Sequence, residues 1–379
     1  RADIQTAGTC GGANITIPFT DVPSSNIFFC AIASAYFSGL TNGTSATTYS
    51  PSDPVPREQM AAFITRTLDQ SLKRGSRRAA LNQYWTTRGA NNLALTTVGL
   101  GPRLVQSDGA DVWVANLDGA VSRVRASDGK LLGTGTGATS ATGVLCAMGK
   151  VFITGSTSPG SLYQIDPTQP PGAVTTVSNS LGNLSRGIAY DGERIWTANL
   201  DSPGSVSIVT LNPTSVTTVS TGFISPVGFI YDGANIWVTD NIGFGSVGKL
   251  HMLNPSGAIV LSVDVGDFPQ YPAFDGTNIW VPNLASNTVS VVRAVGPLAG
   301  TVLATLGGAG LDAPVVAAFD GERILVTNSN GSSVSLWKAS DLTPIGTFSV
   351  PASSGLFGAC SDGLNFWVTL GGINKLARF

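Results

Sequence analysis

The sequence predicts a mainly β protein: a seven-bladed β-propeller with a small α-helical module at its N-terminal end. Three observations carry that expectation. One unit of 40–45 residues recurs seven times, its last copy stops a strand short, and a spare strand stands just ahead of the first copy. Self-similarity at this period, in short strands with no long helical stretch between them, is the signature of propeller blades and excludes parallel βαβ construction.

The unit reads D-G-x-x-I-W-V-x-N, a Gly/Ser/Asn-rich turn, V-S-V-V, a second turn, then L-x-x-T-V-x-V-G. Its anchoring glycines are Gly109, Gly149, Gly192, Gly233, Gly276, Gly321 and Gly363. Asp-Gly between alternating apolar runs predicts a two-residue hairpin in which Gly supplies the positive φ. Val, Ile, Thr and Trp suit the four short strands of each copy. The seventh copy ends at Phe379 after three strands, while residues 92–98 have the pattern of a fourth. Pairing the two would close the ring and leave no open edge at the seam. The propeller is therefore placed at residues 91–379, a helical module at 1–70 and a basic, helical linker at 71–90.

Two repeat positions are candidates for function. Four residues beyond the glycine stand Trp113, Ile153, Trp196, Trp237, Trp280, Leu325 and Trp367. Large rings there suit packing between twisted blades, with a stacking surface for sugars or bases as the functional alternative. Seven residues beyond the glycine come Asn116, Ser156, Asn199, Asp240, Asn283, Asn328 and Leu370. Asn and Asp tolerate turn geometry, yet this position shares a face with the loops that lead into each blade. Asn199, Asp240 and Asn283, with Arg103, Arg186, Gln270 and Tyr271 from those loops, form the candidate ligand surface.

The cysteines are Cys10, Cys30, Cys146 and Cys360, with no C-x-x-C pair and no His nearby, so no metal site and no cofactor are expected. Cys10 and Cys30 flank the start of the N-terminal module. In a secreted chain they are expected to form a disulfide worth about 3 kcal/mol. Cys146 and Cys360 stand where other blades carry Ala, and are expected to be small buried residues.

The repeats resemble the YncE/NHL-type propellers of bacteria, a group that includes virginiamycin B lyase. The resemblance covers about 290 residues and implies the fold. A lyase of that group implies a catalytic His at a metal-assisted site. The one histidine here is His251, within Lys249-Leu-His-Met-Leu253, and reads as a residue of a third strand.

Residues 17–69 read as helix, loop, helix. The first helix runs from the capping Asn26 to Gly39, and the second follows Pro54 and Pro56 with Met60, Phe63, Ile64, Thr67 and Leu68 on one face. That apolar face needs a partner, because so small a module buries little core. The F-T-D-V-P, G-L-T-N-G-T, Y-S-P-S-D-P and R-E-Q-M-A-A-F stretches resemble an S-layer homology (SLH) motif. The resemblance implies attachment to anionic polymers of the cell envelope, with Arg57 as the polymer-contacting arginine. Pro56 replaces the usual capping Thr, and one motif stands where the family sets three.

Composition narrows the classes. Only 12% of residues are charged and mean hydropathy is +0.22, too apolar for disorder and too charge-poor for a typical cytosolic enzyme. No apolar run approaches a membrane span. Residues 1–90 carry eight Lys/Arg against five Asp/Glu, and residues 91–379 thirteen against eighteen, so neither half suits nucleic acid. Lys73, Arg74, Arg77, Arg78 and Arg88 make the linker the most basic stretch, either solvated or facing an acidic surface. A chain opening on Arg1 fits a processed secreted protein.

No phosphate loop, paired acids or Ser/His/Asp set stands out from the spacing. The expectation is a non-catalytic, extracellular cell-surface scaffold, partnered by an envelope polymer or glycan. The alternatives are a self-assembling subunit of a filament or surface layer, partnered by copies of itself, and a lyase-like enzyme.

Overall fold

The computed structural model describes residues 6–10, 13–37, 40–65, 93–170, 172 and 174–379. The chain divides into two compact units, residues 1–81 and 82–379. The linker expected at 71–90, with its five basic residues, lies outside the described residues, as do Gly39, Thr67 and Leu68.

In the N-terminal unit, strands Thr6–Cys10 and Ala13–Ile17 form an antiparallel hairpin ahead of helix Phe29–Phe37. Asn26 caps the helix start, its side-chain oxygen accepting the Phe28 N–H at 2.8 Å. A Cys10–Cys30 disulfide joins hairpin to helix. Ile17, Phe19, Val22, Phe29, Ile32 and Ala33 make a small core, with Phe19 edge-on to Tyr36. Asp21, of the F-T-D-V-P stretch, accepts the N–H groups of Tyr49 and Ser50 and so ties down the loop before the second helix, residues 57–65. Met60 and Ile64 remain about half or more exposed there, as do Ile27, Phe28 and Phe37 around the first helix.

Seven four-stranded antiparallel sheets make up the second unit. Their innermost strands are Pro102–Ser107, Ala141–Ala147, Ser185–Tyr190, Pro226–Tyr231, Ala273–Phe274, Pro314–Phe319 and Leu356–Ser361. These adjoin one another in a closed circuit, blade 7 meeting blade 1. The seam is as expected: Ala94–Thr97 pairs antiparallel with Lys375–Arg378 and becomes the fourth strand of blade 7. In every blade the second strand is almost wholly buried, and in blades 1 to 6 the outermost is largely exposed, so the core lies between blades.

The hairpins explain the D-G signature. In blade 1 the Asp108 N–H reaches the Asp111 carbonyl around a two-residue Gly109-Ala110 loop, with Gly109 at φ 95°. Asp108 also accepts the Ala110 and Asp111 N–H groups on one oxygen and the Trp113 indole N–H on the other, at 2.8 Å. Asp191–Trp196, Asp232–Trp237, Asp275–Trp280 and Asp362–Trp367 repeat this bond. Each of the five indoles is at most 3% exposed. The repeated rings are therefore packing between blades, and their one polar group is satisfied by the turn that precedes them.

Blade 2 departs from the sequence alignment. Its loop is Met148-Gly149, both at positive φ, so Gly149 is the second loop residue where the other blades have it first. Every position after it shifts by one. Phe152 and Gly155 occupy the ring and amide positions, not Ile153 and Ser156.

Candidate functional site

The innermost strands surround a channel of about 450 Å³ to which every blade contributes, with Val105, Ile188, Phe229 and Ala317 among its walls. At the end where the chain enters each blade, one repeat position supplies Arg103, Thr142, Arg186 and Phe357 to the channel mouth. It stands six places before the anchoring glycine: Arg103, Arg186, Val227, Gln270, Val315 and Phe357. Thr142 fills the place in blade 2, one residue earlier because of the shifted turn.

Neighbouring blades fix these backbones. Thr369 Oγ1 donates to the Arg103 carbonyl at 2.7 Å, and Thr154 and Thr327 donate to those of Arg186 and Phe357 at 2.8 Å. The same hydroxyls accept N–H bonds from Gly358, Gly143 and Val316. Each threonine thus clamps two blades and sets where a side chain at this position leaves the main chain.

The next residue in blades 2, 3, 4 and 7 is Gly143, Gly187, Gly228 or Gly358. A Cβ there would stand 2.2–2.8 Å from a carbonyl oxygen of the adjoining blade, closer than atoms tolerate. Blade 5 instead carries Tyr271. Its inner strand is regular only over Ala273–Phe274, and the segment before it bridges in parallel to blade 6. The Tyr271 N–H donates to the Val315 carbonyl, and the Tyr271 carbonyl accepts the Ala317 N–H, each at 3.0 Å. This local break in the blade pattern admits a phenol into the channel.

Arg103, Arg186, Tyr271, Phe357 and Thr142 line a cup of about 170 Å³ at the channel mouth, with Leu117, Ser140 and Ser156 from the loops. Tyr271 is shared by the cup and the channel behind it. The Arg103 guanidinium lies 4.8 Å over the Phe357 ring, and Phe357 stands edge-on to Tyr271 at 5.8 Å. Arg186 stands beside Tyr271 and favours its ionised form, while among the described residues its own buried Nε has no hydrogen-bond partner. Burial lowers the Arg103 pKa; nearby Tyr271 opposes this, while the charge of Arg186 adds to it. Burial raises that of Tyr271 against the pull of Arg186 and Arg103. Among the described residues neither arginine forms a salt bridge.

Of the residues singled out from sequence, the cup unites Arg103, Arg186 and Tyr271. Gln270 is buried outside it, its amide against the Phe268 and Pro269 carbonyls. Asn199, Asp240 and Asn283 are wholly buried and do not reach the mouth. They belong instead to cross-strand rows. Asn116, Asn199, Asn283 and Asn328 donate at 2.9–3.1 Å to Ser122, Ser207, Ser290 and Ser335 on the third strands. Blade 4 replaces this pair by Asp240 and His251. The His251 Nδ1 is 2.9 Å from Ser262 Oγ, and its Nε2 is 3.5 Å from Asp240 Oδ2. The fold therefore does align an Asp, a His and a Ser that sequence spacing keeps apart, with His251 only 5% exposed. Sequence reasoning passed over Phe357 and Thr142; their repeat position, shared with Arg103 and Arg186, was the available signal. Arg57 is exposed at the start of the second helix. Cys146 and Cys360 are free thiols.

No protein-family model matches the chain, and no curated protein matches its sequence. Among solved structures, the second unit is a seven-bladed propeller of a widely shared kind. A streptogramin B lyase structure superposes with a TM-score of 0.61 at 14% identity, over 76% of this chain and 97% of that one. The hydrazine synthase of Kuenenia stuttgartiensis gives 0.60 at 15% identity, over 74% and 96%. The WD40 propeller domain of Doa1 gives 0.60 at 12%, over 78% and 97%. At such identities the likeness defines the fold alone.

Proposed function

We propose that this protein is a non-catalytic extracellular scaffold that binds a ligand at the channel mouth and associates with the cell envelope through its SLH-like module. The mouth cup carries the proposal. A rigid ring presents two arginines, a tyrosine and a phenylalanine toward one small cavity, each on a backbone held by a neighbouring blade or bridge. A few convergent polar groups in a largely preformed hollow are what small-ligand sites require. The Cys10–Cys30 disulfide and the low charge content suit an extracellular setting. The SLH-like stretches and exposed Arg57 supply the envelope contact, with a wall polymer or glycan as partner.

A second reading has its own observation. Ile27, Phe28, Phe37, Met60 and Ile64 of the N-terminal unit are all at least 48% exposed. An unpartnered apolar surface favours self-association into a filament or surface layer. One experiment separates the two. Sedimentation with isolated cell envelopes should carry the protein down, and Arg57→Ala should weaken this roughly tenfold, about the cost of one charge-assisted contact. Light scattering on the protein alone should then give a constant mass. Mass that climbs with concentration, with envelope binding unchanged by Arg57→Ala, would favour assembly instead.

A further inference from the structure

The cup at the channel mouth holds positive charge that no carboxylate among the described residues neutralises. Arg103 and Arg186 occupy the same repeat position in blades 1 and 3, on either side of the smaller Thr142 of blade 2. Among the described residues no Asp or Glu lines the cup and neither guanidinium meets a carboxylate. The propeller half of the chain nevertheless carries more acids than bases, so counter-charges exist and are placed elsewhere. Other propeller arginines have theirs: Arg123 pairs with Asp111, Arg194 with Asp191 and Arg323 with Asp320. Two half-buried like charges without a counter-ion are costly. A bound anion removes that cost.

The donors are also of the right kind. The buried Arg186 Nε lacks a partner, and guanidinium edges pair with the two oxygens of a carboxylate or phosphate. Tyr271, set in the cup by its backbone bridge to blade 6, adds a hydroxyl. Phe357 beneath Arg103 holds that guanidinium flat and supplies an apolar wall. A cavity near 170 Å³ has the volume of about five or six waters, enough for one oxyanion and a few carbons.

We propose that the channel mouth is a binding site for a small oxyanion, a carboxylate or phosphate group, held between Arg103 and Arg186 over Tyr271. The proposal rests on the mouth being the ligand-binding face and names what that face takes. The group could end an acidic sugar or a phosphorylated polymer; their shared chemistry is the oxyanion.

Isothermal titration of the full-length protein with inorganic phosphate, sodium acetate and sodium glucuronate, at ionic strength fixed with chloride, tests this. Saturable binding of at least one is expected. Arg103→Gln and Arg186→Gln should each weaken it at least tenfold, and Tyr271→Phe several-fold. Stronger phosphate binding would identify a phosphorylated ligand, and stronger glucuronate binding an acidic sugar. Ser140→Asp guards against variants that fail to fold. Ser140 lines the cup at φ 53°, which Asp tolerates, so this change should raise the melting temperature and abolish anion binding together. No saturable binding by the unaltered protein, or binding that survives both arginine substitutions, overturns the proposal. If neutral oligosaccharides bind instead, and Phe357→Ala removes that binding, the oxyanion inference falls while the scaffold function stands.

Discussion

At the scale of single residues, the aspartate of the D-G turn does more than shape a loop. One carboxylate oxygen of Asp232 takes the N–H groups of Ala234 and Asn235, and the other takes the Trp237 indole N–H. Removing it strands a buried indole donor and two turn amides, so Asp232→Ala should cost about 2–4 kcal/mol. In blade 6 the same position faces Leu325, which has no donor, and the second oxygen of Asp320 takes instead the partly exposed Arg323 guanidinium, an ion pair of small net worth whose donors water can satisfy. Asp320→Ala should therefore cost clearly less in a urea titration, and equal losses would refute the role given to the indole bond. The same bonds set an acid dependence. Burial favours the neutral acid in Asp108 and Asp191, but indole, backbone and arginine partners outweigh it and lower both pKa values. A depressed carboxyl contributes stability above its unfolded value and loses it as pH falls through the folded one. Unfolding free energy should be flat above pH of about 5 and decline below about 4, near the carboxylate range of unfolded chains.

At the scale of strands, blade 4 poses a defined question. Its Asp240–His251–Ser262 row occupies the register that Asn199–Ser207–Thr218 and Asn283–Ser290–Thr305 fill elsewhere. Asp240 accepts the Ile224 and Ser225 N–H groups, at 3.0 and 2.6 Å, and His251 stands edge-on to Phe223. The row therefore holds the loop leading into its own blade. Asp240→Asn alone places an amide against that loop and an unchanged imidazole, and His251→Ser alone opens a void beside Phe223. Together they restore the pair used in four other blades. The double variant should be more stable than the sum of the single losses by about 0.5–3 kcal/mol, the range for contacting residues. Strict additivity in a double-mutant cycle would show that the row is not one unit. This row also marks where sequence reasoning stopped. The third strand of blade 4 begins past a Gly-rich insertion that follows Asp240, so Asp240 and His251 look unrelated in the linear chain. Their pairing is visible only once Val238 is set opposite His251.

For the whole molecule, the repeat legible in the sequence was sufficient for the propeller, because each blade rewrites the same local choices, but not for the hairpin Thr6–Ile17 of the unit read as helical. Gly109 and its equivalents fix the hairpins, the tryptophans fill the gaps between sheets, and the short seventh copy foretells the seam. The site was half legible, for a physical reason. Arg103 and Arg186 stand out as rare charges in an apolar repeat, whereas Phe357 is unremarkable in a strand until blade 7 is closed against blade 1. Closure is thus what assembles the mouth, and it depends on one strand pair between residues 94–97 and 375–378. Lys375 Nζ reaches Thr97 Oγ1, and Thr96 Oγ1 bonds the Gly129 carbonyl of blade 1, so the spare strand ties both sides of the seam. Replacing residues 94–97 by Gly-Ser should expose the Lys375–Arg378 edge and release a loop of nearly the whole propeller. The same replacement in Leu131–Thr136, the outer strand of blade 1, removes a strand whose partner is local in sequence. The seam variant should lose more than about 5 °C in melting temperature relative to that control. It should also weaken anion binding at the mouth, because Arg103 hangs from the Thr369 clamp of blade 7. Equal melting temperatures would mean that the neighbouring blades, and not the seam, hold the ring shut.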